Sequence, residues 1–297
     1  MRNTTRIPFR VPGSVTLAVI LSGGACSAPA EQHQPPAPPV SAQAPATKPS
    51  AAAATADPTW HYEGDEGPAV WGKLSPKFAA CGDGRAQSPI DITNPAAGKG
   101  APGLKLVLPK AELKIVHHAH VADAINSGHT IQINYAGADT LTIGNDTYSL
   151  VQYHFHNPSE HTVKGKHAPM EMHLVHQSAT GSLAVVGVFV EEGAHNGAFD
   201  PIWANLPKEK GVQTHHPAVA VDVDALLPSV RTSYRYDGSL TTPPCSEGVK
   251  WILMVAPIHL SAQQIRAFTQ VIHDNNRPTQ PLNGRRVVTD AIGIKLP

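Results

Sequence analysis

The sequence predicts one mainly β domain with few helices, and three observations predict it. Short β-branched runs recur with turn residues between them: Leu104–Leu108, Thr130–Tyr135, Thr140–Ile143, Leu183–Val190, Ala218–Val223 and Val249–Ile258. One of these, Leu183-Ala-Val-Val-Gly-Val-Phe-Val190, is nearly all apolar, as a central strand buried on both faces would be. Only Ser261–His273 reads convincingly as a helix, since Ser261 can cap it and Ile265, Phe268 and Ile272 recur at helical spacing.

In chain order, Arg2, Arg6 and Arg10 precede an apolar run from Val15 to Leu21 and small residues around Gly23-Gly-Ala-Cys26. This is the pattern of an export signal over residues 1–26. The run is too short to remain as a membrane-spanning helix. Two readings of its end stand side by side: cleavage near Ala25–Ala30, or a lipoprotein signal with Cys26 as the lipid-anchored first residue. Gly23, where a Leu-like residue is usual, weighs against the second. From Ser27 to Pro58, 19 of 32 residues are Ala or Pro, which leaves nothing to build a core. Residues 27–59 therefore read as a disordered tether, and residues 60–297 as the folded domain. Trp60–Trp71 sets aromatic residues among Gly and Pro, an ordered irregular arm rather than a helix. Asp83-Gly84 marks a turn, Gln87-Ser-Pro-Ile-Asp-Ile92 opens the regular part, and Pro201–Leu206 reads as a short helical turn. No repeat and no second low-complexity break divides the domain.

Charge excludes two classes of partner. The formal net charge is +0, the pI is near 7.3, and no Lys/Arg cluster exceeds a few residues. Neither nucleic acid nor an anionic membrane surface is indicated. The hydrophobic content of 41% supports a sizeable core.

The chemistry concentrates in Gln152-Tyr-His-Phe-His-Asn157, answered by Glu171-Met-His-Leu-Val175. Strand side chains alternate faces, so Gln152, His154 and His156 share one face, and Glu171, His173 and Val175 share one face of a second strand. An antiparallel pairing centred on a turn at Lys164-Gly165-Lys166 sets His156 opposite His173, with Pro158 favouring a bulge. Three imidazoles then converge, and three neutral nitrogens plus an open position describe a catalytic zinc site. Gln152 and Glu171, two residues before His154 and His173, can accept the second N–H of an imidazole and aim its ring. The blander reading of a His-x-His pair, with 17 histidines in the chain, is an exposed polar strand face. His118-Ala-His120 has the same spacing but no partnering Glu-x-His run, and reads as surface. Gly238-Ser-Leu-Thr-Thr-Pro-Pro244 is a Thr/Pro loop feeding the strand Val249–Leu253, and its hydroxyl and N–H groups could orient a metal-bound water.

These residues resemble the α-class carbonic anhydrases. The matching motifs are Gln87-Ser-Pro-Ile-Asp91, Ser127-Gly-His129, Gln152-Tyr-His-Phe-His156, Ser159-Glu-His-Thr162 and Glu171-Met-His-Leu-Val-His176. The series continues with Gly238-Ser-Leu-Thr-Thr-Pro-Pro244, Val249-Lys-Trp251, Asn276-Arg-Pro278 and Gln280-Pro-Leu282. They run in family order from about Trp60 to Val288; each alone is weak, and the ordered set is highly specific.

The resemblance implies a twisted, mostly antiparallel central sheet of about ten strands with peripheral helices and a conical cleft. It implies zinc on His154, His156 and His173, with Gln152 and Glu171 behind them. Thr241 matches the threonine beside the zinc-bound solvent, and Glu160 the carboxylate that accepts its hydroxyl proton. Val175, Val185, Leu240, Val249 and Trp251 match the apolar wall of the substrate pocket. Thr242, Tyr62 and Gln132 match the hydrophilic side. Gln132 stands where many relatives carry Asn, and Asn157 where many carry Trp. His161 and His176 match structural histidines. The implied reaction is zinc-dependent reversible hydration of carbon dioxide to bicarbonate and a proton. Zinc brings the pKa of its water to about 7, the value known for this enzyme class; the hydroxide attacks carbon dioxide, and His129, at the proton-shuttle position, passes the proton to solvent.

The alternative is a catalytically dead relative kept as a binding module at the cell surface. Such relatives typically lose a zinc histidine, whereas all three stand here with Glu160 and Thr241. A purely structural zinc usually takes four protein ligands, and no fourth is visible. Of three cysteines, Cys26 lies in or at the edge of the signal, so Cys81 and Cys245 are expected to form a disulfide in the exported, periplasmic or extracellular protein. Cys245 follows Pro243-Pro244, so the bond would pin the loop that presents Thr241. Closing so long a loop is worth at most about 5 kcal/mol in the chain-entropy picture. Bacterial relatives are often dimers, but no stretch here marks an interface.

Overall fold

Alternating apolar and polar side chains become sixteen strands among the described residues of the computed structural model. Those residues are 58–97, 104–107, 111–117, 130–135, 139–207 and 213–289. They fall in one compact unit, Ala54–Pro297. The expected signal, Cys26, nearly all of the tether, His118-Ala-His120 and His129 lie outside the described residues.

In chain order the strands are β1 (Asp91–Ile92), β2 (Ala96–Ala97), β3 (Leu104–Val107), β4 (Ala111–His117), β5 (Ile131–Asn134), β6 (Thr140–Ile143), β7 (Asp146–His156) and β8 (Thr162–Val163). They continue as β9 (Lys166–His167), β10 (Met170–Ser178), β11 (Leu183–Glu192), β12 (Gln213–Val221), β13 (Ser233–Ser239), β14 (Glu247–Met254), β15 (Ile258–Leu260) and β16 (Val288–Thr289). Ten of them form the path β12-β4-β5-β7-β10-β11-β14-β13-β16-β2, with β3, β6 and β15 joined at its sides, and β1-β8-β9 make a small separate sheet. Most neighbours are antiparallel; β11 pairs parallel with both β14 and β15, and β16 with β2.

β11 shows why a nearly all-apolar run sits at the centre. Ala184, Val186, Val188 and Val190 enter one buried cluster, and Val185 and Phe189 the other. The described residues also hold α-helices α1 (Trp71–Leu74), α2 (Ala80–Asp83), α3 (Asp200–Trp203) and α4 (Ala262–Thr269). The first cluster takes Ile202 from α3 and Phe268 from α4, so these two helices cover that face. The second cluster, with Trp251, Tyr236 and Val175, lies on the face that carries the site.

Several boundaries differ from expectation for identifiable reasons. Val249–Ile258 is two strands, broken at Val255-Ala256-Pro257, because Pro257 lacks the N–H that a continuous ladder needs. The chain then rejoins β11 further along, at Val190↔Ile258. Ser261 caps α4 in a capping box with Gln264, as its hydroxyl suggested. The helix stops at Thr269 rather than His273. There the Gln270 N–H already bonds the Arg266 and Phe268 carbonyls, and the polar run after Ile272 offers no further apolar face. Strands β4 and β13 were not expected, since mixed polar runs such as Ser-Tyr-Arg-Tyr-Asp-Gly-Ser carry weak strand signals.

Candidate metal centre

β7 and β10 pair antiparallel with Glu171 opposite His156 and His173 opposite His154. The expected register, His156 opposite His173, is therefore off by two residues. The turn at Lys164-Gly165 exists, with both residues at positive φ (51° and 74°), but it closes the short hairpin β8–β9 instead. β8 pairs with β1, which draws the connection away from the β7–β10 axis. A two-residue shift preserves parity, so the histidines keep a common face. The bulge lies between Val175 and His176, past the histidines, and not at Pro158.

On that face the three imidazoles converge. Ring centroids are 5.0 Å apart for His154 and His156, 5.3 Å for His154 and His173, and 4.5 Å for His156 and His173. One nitrogen from each lies within 4.8 Å of the other two, so the group could hold a metal ion. The second nitrogen of each ring is tied down. His154 Nδ1 meets Gln152 Oε1 at 2.8 Å, His156 Nδ1 meets the Asn275 carbonyl at 2.7 Å, and His173 Nε2 meets Glu171 Oε1 at 2.8 Å. The other nitrogens, Nε2 of His154, Nε2 of His156 and Nδ1 of His173, could serve as the ligand atoms. His156 Nε2 is buried with no hydrogen-bond partner, a costly condition for a neutral core histidine but a natural one for a ligand atom. Burial pushes the His156 pKa down, against the opposing pull of Glu160.

Behind this group stands a second one. Glu171 Oε1 also meets His161 Nδ1 at 2.8 Å, and Glu171 Oε2 accepts from the His161 backbone N–H at 2.8 Å. Burial alone would raise the Glu171 pKa, but the imidazoles of His161 and His173 hold it well below the usual carboxylate range. Gly187 leaves room for this carboxylate: a Cβ there would approach Glu171 Oε1 to 3.1 Å and strike Leu253.

The pocket over the imidazoles is lined on its apolar side by Val175, Val185, Leu240, Trp251 and Leu183, with Thr241, Thr242, Gln152 and Thr130 supplying polar groups. Val249 packs behind this wall in the same cluster rather than on its surface. Tyr62 packs edge-on against Trp60 and Trp71. Gln132 sits opposite His154 in the β5–β7 ladder and donates to Asn134 Oδ1 at 2.6 Å.

Residues 66–291 match the eukaryotic-type carbonic anhydrase family. The chain belongs to the α-carbonic anhydrases. It is 42% identical to a carbonic anhydrase of Pectobacterium carotovorum, over 80% of this chain and 93% of that one. It is 44% identical to a carbonic anhydrase of Klebsiella pneumoniae, over 77% and 90%. The α-carbonic anhydrase of Thermovibrio ammonificans, solved with the inhibitor sulfanilamide, superposes with a TM-score of 0.71 at 41% identity, over 77% of this chain and 98% of that one.

In this α-carbonic anhydrase, Glu160 is fully buried. Its Oε1 accepts from the Arg277 backbone N–H at 2.9 Å, and its Oε2 has no hydrogen-bond partner. Oε2 lies 3.6 Å from His156 Nε2 and 3.8 Å from His173 Nδ1. The hydrogen bond from Thr241 implied by the resemblance is thus not formed to Oε2, which faces the two imidazoles instead. Cys81 and Cys245 are joined, S–S 2.07 Å, within a cluster that includes Trp60, Trp71 and Phe78. The Cys245 carbonyl accepts from Gln87 Nε2 at 3.0 Å, and Gln87 Oε1 accepts from Arg277 at 2.9 Å, so the loop after Thr242 is braced from two sides.

Sequence reasoning missed Asn275, which acts through a backbone carbonyl that no side-chain pattern announces. Arg277 stood in the Asn276-Arg-Pro278 motif without a role; its buried guanidinium donates to Gln87, Ser88 and Cys81, and burial lowers its pKa to about 10. Thr130 and Leu183 were read only as strand residues; the parity of Leu183 with Val185 would have placed it on the wall.

Proposed function

We propose that the chain catalyses the reversible hydration of carbon dioxide to bicarbonate and a proton at a zinc ion held by His154, His156 and His173. The observation that carries the reading is the convergence of three imidazoles, each aimed by a fixed acceptor, around the unpartnered buried Nε2 of His156. Three neutral nitrogen donors suit zinc, and three protein ligands facing an open pocket are the catalytic rather than the structural arrangement. When bound, zinc supplies a Lewis acid that makes water acidic near pH 7, a family value.

The chain's own residues do the rest. Gln152, the Asn275 carbonyl and Glu171 fix which nitrogen of each ring faces the pocket. With zinc bound, Glu160 would accept a hydrogen bond from the Thr241 hydroxyl, leaving a Thr241 lone pair to orient the reacting water. Val175, Val185, Leu240 and Trp251 hold carbon dioxide without competing hydrogen bonds, with Val249 packed behind them. Thr242, Gln132 and Tyr62 belong to the polar side through which water and bicarbonate exchange. His129 carries the proton out, because an imidazole titrates near neutrality. His129→Ala then lowers kcat in weak buffer while leaving kcat/KM nearly unchanged, and added imidazole restores the rate.

The protein works outside the cytoplasm: its disulfide needs an oxidising compartment, and no helix among the described residues is long and apolar enough to cross a membrane. Signal cleavage over residues 1–26 delivers it there, and the mass of the mature N-terminus distinguishes a free end from lipid on Cys26. The deciding experiment is carbon dioxide hydration by purified protein with and without a zinc chelator. About one zinc per chain, loss of activity on chelation and recovery on zinc addition are expected; full activity in the zinc-free protein refutes the reading.

A further inference from the structure

A continuous line of buried hydrogen bonds runs from His173 to the loop that carries Thr241. From the Glu171–His161 pair it passes from His161 Nε2 to the Tyr236 hydroxyl (2.6 Å) and from Tyr236 to Ser88 Oγ (2.9 Å). Ser88 and Ser239 then clasp each other: the Ser239 N–H donates to Ser88 Oγ at 3.0 Å, and the Ser88 N–H donates to Ser239 Oγ at 2.9 Å. Ser239 Oγ in turn donates to the Leu240 carbonyl at 2.7 Å, one residue before Thr241. Glu171, His161, Ser88 and Ser239 are each 0% exposed, and Tyr236 5%.

Counting protons gives this line a direction. Glu171, ionised, only accepts, so His161 Nδ1–H and His173 Nε2–H both donate to it. Were His161 doubly protonated, its Nε2–H would donate to Tyr236 and Tyr236 to Ser88. Ser88 Oγ already accepts from Ser239, and its own proton would then have no acceptor. With a neutral His161, Ser88 donates to Tyr236 and Tyr236 to His161 Nε2, and every group is satisfied. Burial holds the Tyr236 hydroxyl well above its ordinary pKa, as a donor must be held. Gly238 is shaped for the arrangement, since a Cβ there would strike Ser88 Oγ and come within 2.8 Å of both the Tyr236 and Trp251 rings.

We propose that Tyr236 is a positioning residue: by donating to His161 and accepting from Ser88, it couples the orientation of His173 to the placement of the Leu240–Thr242 loop. The inference rests on the zinc reading above. Without the hydroxyl, His161 Nε2 and the Ser88 hydroxyl lose their mutual link, and two parts of the site that must agree in position are uncoupled.

The test uses Tyr236→Phe and Ser88→Ala, with zinc affinity measured by chelator competition and hydration kinetics normalised to bound zinc. Tyr236→Phe should weaken zinc binding about tenfold and lower kcat/KM about tenfold, at the lower end of what loss of an outer partner costs. The fall in kcat/KM should exceed that in kcat in weak buffer, because the Thr241 loop acts in the carbon step and not in proton export. The double variant should be no worse than Tyr236→Phe alone, since both substitutions cut one line. Should Tyr236→Phe not fold, Ser88→Ala carries the test, with the same fall in kcat/KM at nearly unchanged zinc affinity. Values within twofold of the parent, or fully multiplicative effects in the double variant, overturn the inference while a zinc-binding, active parent leaves the proposed function standing. A parent that binds no zinc overturns both.

Discussion

Two groups of buried side chains share His173, and either could be mistaken for the other. One is His154, His156 and His173; the second is His161, Glu171 and His173, and both bring three potential ligand atoms within 4.8 Å. In the second, each contact is an ordinary hydrogen bond: both donors reach one ionised carboxylate at 2.8 Å, and the far nitrogen of His161 is taken by Tyr236. In the first, Glu160 Oε2 comes no nearer than 3.6 Å to His156 Nε2 and 3.8 Å to His173 Nδ1, and His156 Nε2 makes no hydrogen bond. Proximity therefore does not distinguish a metal centre from a polar network; the accounting of each nitrogen does. The second group is complete in its own hydrogen bonds, whereas the first could hold a metal ion.

The largest expected effect separates the two groups directly. His156→Ala removes one of three ligands and should leave zinc well below one per chain, with hydration lost by more than the roughly 100-fold that bounds loss of an outer partner. Zinc content by atomic absorption and a hydration assay check it. Retention of full activity would mean the metal sits elsewhere, and the comparison above would fail.

A smaller effect is expected where the groups meet. Glu171→Gln keeps the shape but turns one acceptor oxygen into a donor facing donors. Zinc affinity should fall about 10–100-fold, and the metal-free protein should lose about 1–3 kcal/mol from the mispaired buried amide. Chelator competition and urea unfolding report the two losses separately. If the stability loss appears without a change in zinc affinity, Glu171 serves only the second group and its bond to His173 does not aim the ring.

The first group was legible in the sequence and the second was not, for a physical reason. Strand parity fixes which side chains share a face whatever the register, so His154, His156, His173, Gln152 and Glu171 could be placed together even with the pairing misjudged by two residues. The His161–Tyr236–Ser88 line joins residues up to 148 positions apart; no local period connects them, and Tyr236 sits in a strand too polar to be recognised. Asn275 contributes a carbonyl, which every residue has. The apolar wall was visible through the family pattern, but whether Val249 lines it or backs it depends on the twist of β14 against β11, which composition does not encode. The break at Pro257 is readable from the missing N–H, but the apolar pattern of Val249–Ile258 continues across it and masks the boundary.

A fourth buried histidine tests the same accounting with the smallest effect. His176, on β10 like His173, is 0% exposed, and its Nδ1 donates to the Leu174 carbonyl at 2.9 Å. Its Nε2 makes no well-formed hydrogen bond and lies 3.8 Å from Asp139 Oδ2, and among the described residues it joins no cluster of potential metal ligands. An unpartnered nitrogen alone is thus not a metal site; convergence is also required. Its signature should be pH-dependent stability instead. Burial pushes the His176 pKa from 6.5 down to about 4, against the pull of the Leu174 and Ala184 carbonyls. A depressed histidine stays neutral in the folded state while the unfolded chain takes up a proton. Its contribution is complete above pH 6.5 and is lost as pH falls toward 4, about 2 kcal/mol of it between pH 6.5 and 5. Asp139 acts in the opposite sense: burial raises its pKa above 3.8, so its contribution is present below that value and lost as pH rises through the folded pKa. The check is urea unfolding of the chelated protein and of His176→Asn, which keeps a donor for Leu174 but cannot charge. The stability gap between parent and variant should shrink by about 2 kcal/mol from pH 6.5 to 5, while His156, common to both, cancels. A gap that stays constant across that range would show that the folded protein accommodates a charged His176, with Asp139 as its counter-ion.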